Sequence, residues 1–181
     1  MNKKIRWITE TAVMLALLVS LQALTKPMGQ LVTGSCVNAV LAVAVLVGGL
    51  PCGLTVALVS PVMAYLLGIA PQILTVPAIM AGNAVYVLML HYLADPAAKQ
   101  LARQAAAWAL AAVAKFAVLY LVVTKLICGV LAQGLLASGV MKEPMLKALP
   151  ATFSWPQLFT ALIGGAVAMI IVPVLKKALH K

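Results

Sequence analysis

Residues 27–94 of this chain read PMGQLVTGSCVNAVLAVAVLVGGLPCGLTVALVSPVMAYLLGIAPQILTVPAIMAGNAVYVLMLHYLA, without one Asp, Glu, Lys or Arg. A water-soluble domain of 181 residues must cover its outside with charged side chains, and it cannot leave more than a third of its length uncharged. This stretch is therefore expected to lie in lipid.

The uncharged run is too long for a single membrane crossing. At about 1.5 Å per residue a helix of this length would reach roughly 100 Å, whereas the apolar core of a bilayer is about 30 Å thick. Gly and Pro cluster at residues 48–53 and 68–72, where a helix is expected to end and turn. The run therefore predicts three spans, at about 34–49, 53–68 and 74–93.

The whole composition agrees with a membrane protein. The chain is 65% hydrophobic and 9% charged, with a mean hydropathy of +1.12. Its net charge of +10 could suggest nucleic acid, but the Lys and Arg, apart from one at Lys115, are scattered toward span ends and lack interleaved aromatic residues. We therefore interpret them as topology signals that face anionic lipid headgroups, and expect no nucleic-acid partner.

Cysteine and histidine residues do not form a recognisable motif. The three cysteines, Cys36, Cys52 and Cys128, are odd in number and widely spaced, so no disulfide framework follows. His91 and His180 have no second ligand at helical spacing. We expect neither a metal nor a cofactor.

Three further spans complete the predicted architecture. The N-terminus has the outline of a secretory signal, but Leu21 is poor near a cleavage site, so an uncleaved first span is predicted at about 7–24. The others are predicted at about 104–130 and 155–175. Ala12 and Ala16 form a small-residue face on the first span, and Gly164 and Gly165 do so on the last; such faces allow close helix packing. The prediction is a single all-α membrane domain, a compact bundle of six transmembrane helices.

The distribution of basic residues orients this bundle. One side holds eight Lys and Arg: Lys3, Lys4, Arg6, Lys99, Arg103, Lys176, Lys177 and Lys181. The other side holds four: Lys26, Lys125, Lys142 and Lys147. The positive-inside rule then predicts cytoplasmic termini, with the loops around 25–34, 68–75 and 131–154 covering the outer end.

Lys115 is the residue that best indicates a site. It lies near the middle of the fifth span, where a charge costs at least about 2.5 kcal/mol unless it is paired or hydrated. The chain has only three acids, Glu10, Asp95 and Glu143, and none lies well inside a span. Lys115 could snorkel or donate to backbone carbonyls, or it could face a water-filled pocket or an anionic ligand.

Other polar residues fall near the predicted outer half of the spans. Ser35 and Asn38 share a helical face, as do Asn83 and Tyr86. An Asn in hydrocarbon needs a partner, which could be a neighbouring helix or a ligand. No catalytic cluster, metal-ligand spacing or phosphate-binding loop accompanies them, so we do not expect an enzyme.

The chain resembles the substrate-binding S components of energy-coupling factor (ECF) transporters. The resemblance covers nearly the whole chain and is carried by its length, its six spans and four motifs: TAVMLA at 11–16, GSCVNAV at 34–40, GNAVY at 82–86 and FSWPQL at 153–158. It implies capture of a vitamin or related micronutrient at the outer face of a bacterial or archaeal plasma membrane. It also implies a transmembrane T subunit, two cytoplasmic ATPases and delivery by toppling of the S component.

The resemblance further implies roles for individual residues. Ala12 and Ala16 would contact the T subunit. The ligand pocket would be lined by the first loop and by spans four to six. The residues of this chain at those positions are Lys26, Gln30, Asn83, Tyr86, Lys115, Tyr120, Trp155 and Gln157.

The absence of an acid deep in a span bears on the substrate. A cationic substrate is disfavoured, and a neutral or anionic heterocycle that could stack on Trp or Tyr is expected.

Two other functions fit the same sequence. A stand-alone small-solute carrier or channel, acting as a homo-oligomer, is the alternative. A structural subunit in which Lys115 and Asn83 only join helices is a third.

Overall fold

A computed structural model of the chain describes residues 3–69, 72–94 and 101–179. These residues are almost entirely helical, and no strand occurs among them. The eight helices are α1 Lys3–Thr25, α2 Gln30–Gly48, α3 Leu50–Leu66, α4 Val76–Leu93, α5 Leu101–Leu119, α6 Ala132–Ala137, α7 Glu143–Thr152 and α8 Trp155–Ala178. Short 3-10 turns at Lys26–Met28 and Ile73–Thr75 precede α2 and α4.

Five helical segments of the described residues are long and apolar enough to cross a membrane. They are Lys4–Met28, Gln30–Gly48, Ile73–Leu93, Ala102–Val130 and Trp155–Ala178. The predicted all-α class is thus confirmed, and these five segments are compatible with a multi-pass membrane protein. The predicted third span, α3, is apolar but has only 17 residues, or about 25 Å of helix. The crossing number of six therefore stays a prediction.

The turn between α2 and α3 occurs where the sequence predicted a break. α2 ends at Gly48, α3 begins at Leu50, and Gly49 alone reverses the chain with φ of 87°. Residues with a side chain rarely adopt this left-handed region, so glycine suits the position. Pro51 follows in the first turn of α3, where its missing N–H leaves no partner unsatisfied.

The prediction of a loop at 25–34 is largely wrong. The chain turns at Gly29, and α2 already begins at Gln30. Thr33 donates from Oγ1 to the carbonyl of Thr25 at 2.8 Å, which ties the new helix to the end of α1. The polar residues Gln30 and Thr33 therefore lie on a helix that lines a polar cavity.

Two predicted connectors lie partly outside the described residues. Residues 70 and 71 of the second break and residues 95–100 are not among them, so Lys99, which was counted for the orientation, lies outside the described residues, as does Lys181. The outer loop predicted around 131–154 contains two short helices, α6 and α7.

The second half of the fifth span is not an α-helix. After Leu119 the chain continues as a π-helix from Tyr120 to Val130, in which the N–H of Leu131 still reaches back five residues to Leu126. π-Helices are rare and usually only one turn long. Leu119, Val123 and Ile127 stay buried along this segment and pack against α7, which covers this end of the bundle.

The packing of α2 against α8 holds the centre of the bundle together. A Cβ placed on Gly164 would lie 2.5 Å from the carbonyl oxygen of Ser35 and 2.7 Å from the backbone nitrogen of Ala39. The small face predicted on the last span is therefore the one on which the backbone of α2 rests. Gly165 provides room on the neighbouring face for the indole of Trp108.

Replacing Gly164 with Ala is expected to destabilise the protein by about 2–3 kcal/mol, because the added methyl meets backbone atoms that cannot rotate away. The melting temperature of the purified protein measures this effect. Gly134→Ala is the matched control, since Gly134 is exposed on α6 and a Cβ there would meet no atom within 4 Å. Equal melting temperatures for the two variants would contradict the close packing of α2 on α8.

Candidate functional site

A buried lysine joins three helices at the centre of the bundle. Lys115 on α5 is only 3% exposed, and its Nζ donates to Oδ1 of Asn38 on α2 at 2.6 Å and to Oδ1 of Asn83 on α4 at 2.7 Å. The same ammonium lies 5.5 Å from the ring centroid of Tyr86. The interior of this apolar bundle therefore contains a cation held by neutral amide oxygens.

Neighbouring groups fix the orientation of Asn38. Its Nδ2 donates to the carbonyl of Gly34 at 2.9 Å and to Oγ1 of Thr160 on α8 at 3.3 Å. Thr160 in turn donates to the carbonyl of Gln157 at 3.1 Å. With both amide hydrogens used in this way, Oδ1 of Asn38 is turned toward Lys115.

Asn83 donates a hydrogen bond to a backbone carbonyl that has no helical donor, because a proline lies four residues later. Pro61 lies inside α3 and has no N–H, so the carbonyl of Ala57, four residues earlier, lacks its helical donor. Nδ2 of Asn83 occupies that position at 3.5 Å from the Ala57 oxygen. A backbone group that would be unsatisfied in the apolar interior thus orients the second amide toward Lys115.

No carboxylate among the described residues contacts the Lys115 ammonium. Glu10 pairs with Arg6 at 3.0 Å, and Glu143 pairs with Lys147 at 2.8 Å. A lysine ammonium carries three N–H donors, and two of them are taken by Asn38 and Asn83. In the protonated form of Lys115, one N–H donor and the positive charge remain for a further group.

The Lys115 cavity, the space that this ammonium adjoins, has a volume of about 180 Å³. Five of the eight ligand contacts predicted from the sequence line it: Lys26, Gln30, Asn83, Lys115 and Gln157. They come from the turn before α2 and from α2, α4, α5 and α8, so folding brings together residues far apart in the sequence.

Five more polar residues line the cavity that the sequence did not assign to a site: Gln22, Thr33, Asn38, Ser60 and Thr152. A signal existed for Asn38, because it shares a face with Ser35. No comparable signal marked Gln22 on α1, since a single amide near a span end is also typical of an interfacial residue. Its location becomes evident only from the packing of α1 against the bundle.

Lys26 lies at the rim of the cavity. Its Nζ donates to the carbonyl of Gly68 at 2.6 Å, and the residue is exposed. This contact joins the turn after α1 to the end of α3. The second cation of the cavity is thus solvated, in contrast to Lys115.

The three aromatic residues predicted as ligand contacts do not line the cavity. Tyr86 is fully buried beside Lys115 and lies 3.4 Å from the carbonyl of Ala161, to which its hydroxyl donates. Tyr120 and Trp155 both stack on Phe116, with ring centroids 5.7 Å and 5.6 Å from it, and Trp155 is 63% exposed. They form an aromatic cluster on another face of the fifth span.

Ala12 and Ala16, the predicted contacts to a partner subunit, are exposed on α1 together with Ser20. Only 17% of the α1 span is buried inside the structure, compared with 56% of the α2 span. The small-residue face thus points away from the bundle and is open to lipid or to another protein.

A second, smaller cavity of about 40 Å³ lies at the opposite end of the same helices, beside Trp108 and Gly165. Trp108 Nε1 donates at 3.1 Å to the carbonyl of Ala161, the acceptor that Tyr86 also uses. Tyr86 and Trp108 therefore form a layer between the two cavities.

Comparisons with known proteins give no match: no family model fits the chain, and no curated protein or solved structure is similar to it. Within the described residues, no group of three His, Cys, Asp or Glu side chains could hold a metal ion. The function is therefore inferred from the geometry of the Lys115 cavity and from the exposed face of α1.

Proposed function

We propose that this chain is the substrate-binding subunit of an ECF-type importer, and that it captures a neutral or anionic micronutrient of vitamin type in the Lys115 cavity. The observation that carries the proposal is the cavity itself. A membrane protein that only packs helices has no need for a polar space lined by a buried, unneutralised cation, because such a group is expensive in an apolar bundle.

The proposed orientation follows from the charge distribution. Six crossings with cytoplasmic termini put Lys26 and the rim of the cavity at the outer face of a bacterial or archaeal plasma membrane. Ligand would enter from outside, between the turn after α1, the end of α3 and α7. The chain itself is not an enzyme in this proposal, and ATP hydrolysis belongs to its partners.

The exposed stripe on α1 supports a partner subunit. Ala12 and Ala16 lie one turn apart, and such a flat surface lets another transmembrane helix approach closely. In an ECF complex this partner is the T subunit, which connects the chain to two cytoplasmic ATPases. Toppling of the loaded subunit against the T subunit would then carry the ligand across.

A stand-alone carrier is the second candidate, and the cavity beside Trp108 favours it. A solute could pass from the Lys115 cavity to the opposite end if the layer of Tyr86 and Trp108 opened. This mechanism would need neither a T subunit nor ATP.

Affinity purification of the full chain from its native membrane is expected to recover a second integral membrane protein and two ATPases with phosphate-binding loops, together with a small molecule released on denaturation. Mass spectrometry identifies both. A homo-oligomer that transports solute in liposomes without other subunits would contradict the ECF proposal and support the carrier.

A further inference from the structure

Two residues that line the Lys115 cavity have an unused hydrogen-bonding group, one a donor and the other an acceptor. The donor is the third N–H of the Lys115 ammonium. The acceptor is Oε1 of Gln22, which is buried and has no hydrogen-bond partner among the described residues. We propose that the ligand is a small carboxylate that also carries an N–H or O–H group, with the carboxylate bound by Lys115 and the N–H or O–H bound by Gln22. This inference rests on the proposed function of ligand capture.

The anionic end follows from the charge in the cavity. Lys26 and Lys115 line it, and among the described residues no Asp or Glu does so. A buried charge without a counter-ion is destabilising, and amide oxygens compensate only part of this cost. An anion that enters would pair with Lys115 and recover that cost, whereas a neutral ligand of the same shape would leave the charge as it is.

A single negative charge fits better than two. Lys115 is the one buried cation in the lining, and the ammonium of Lys26 is exposed and already donates to Gly68. A second carboxylate or a phosphate would therefore lose water without meeting a second buried cation. The site favours a monoanion.

The other end of the ligand follows from Gln22. A buried carbonyl oxygen without a donor is destabilising, and most buried polar atoms have a partner. Gln22 lines the cavity, and its Oε1 can accept a hydrogen bond from a ligand once the side chain turns toward the cavity. Only an N–H or O–H group can supply it, so an ether or a methyl group at this position would leave Gln22 unsatisfied.

The volume limits the size of the molecule. A cavity of about 180 Å³ holds at least about six water molecules, each of which takes about 30 Å³ in the liquid. Bonded atoms lie closer together than waters do, so a molecule of roughly ten non-hydrogen atoms can be enclosed without expansion. A larger molecule would extend past the rim at Lys26.

Matched small probes test the two ends separately. The acids with an N–H group are pyrrole-2-carboxylate, pyrrole-3-carboxylate and 4-aminobenzoate, each with about eight to ten non-hydrogen atoms, within the limit set by the cavity. Their carboxamides remove the charge. The two furan carboxylates and 4-methylbenzoate keep the charge and remove the N–H. Binding to the full chain in nanodiscs is followed by the rise in melting temperature with probe concentration.

The expected result is that at least one N–H acid binds about tenfold more tightly than its carboxamide and several-fold more tightly than its analogue without N–H. Lys115→Met should abolish the preference for the acid over its carboxamide. Gln22→Met should abolish the preference for the N–H acid over its analogue without N–H. The inference is overturned if no acid binds, if carboxamides bind as well as acids, or if either preference survives in its variant. Recovery of the T subunit and ATPases does not depend on these probes, so failure here is distinguishable from failure of the ECF proposal.

Discussion

Replacing Lys115 with Met is expected to lower retention of the native ligand by about tenfold to a hundredfold while the protein still folds. A hydrogen bond to a charged group contributes about 1.5–3 kcal/mol, and each 1.4 kcal/mol is about a factor of ten in affinity. Methionine has a similar length and no charge, so it fills the space among Asn38, Asn83 and Tyr86 without an ammonium. Mass spectrometry of small molecules released per mole of purified protein measures the retention.

The matched control is Lys125→Met. Lys125 lies ten residues further along the same span, is exposed, and rests 5.5 Å from the ring centroid of Tyr120 instead of lining the cavity. Lys125→Met should leave retention of the native ligand unchanged. If Lys115 only joined helices, Lys115→Met would lower the melting temperature and leave ligand retention per folded protein intact, and this outcome would remove Lys115 from the site.

The membrane class and several helix ends were predictable because they follow from local chemistry. An uncharged run longer than two membrane crossings is typical of membrane proteins. Gly49, two residues before Pro51, favours a turn whatever the surrounding structure. Lys115 could be singled out for the same reason, since a charge at that depth is costly whatever surrounds it. What the sequence left open was the identity of its partners.

The partners of Lys115 depend on packing between distant segments. Asn83 faces Lys115 because Pro61, on another helix, releases the carbonyl of Ala57. Spacing within α4 contains no information about that proline. The same holds for Gln22, whose carbonyl is buried in the cavity only after α1 packs against the bundle.

The positions of the aromatic residues show how helical phase limits such predictions. Phe116 and Tyr120 are four residues apart and share a face, whereas Lys115 is turned about 100° from Phe116. The family resemblance implied Tyr120 as a ligand contact, but its helical phase puts it with Phe116 and Trp155 outside the cavity. The π-helix that begins at Tyr120 could not be inferred from composition, since it uses the same apolar residues as an α-helix.

Phenylalanine at both Ala12 and Ala16 is expected to reduce recovery of the T subunit and ATPases at least about tenfold, with ligand capture unchanged. Close helix packing in a membrane depends on small residues, and two rings on a flat face separate the backbones. Both positions are exposed and lie outside the Lys115 cavity, so neither folding nor binding should suffer. The control pair is Val13→Phe with Leu17→Phe, which places the same two rings on an exposed neighbouring face of α1. Undiminished recovery with the alanine variant, or an equal loss with the control, would exclude this stripe as the docking surface.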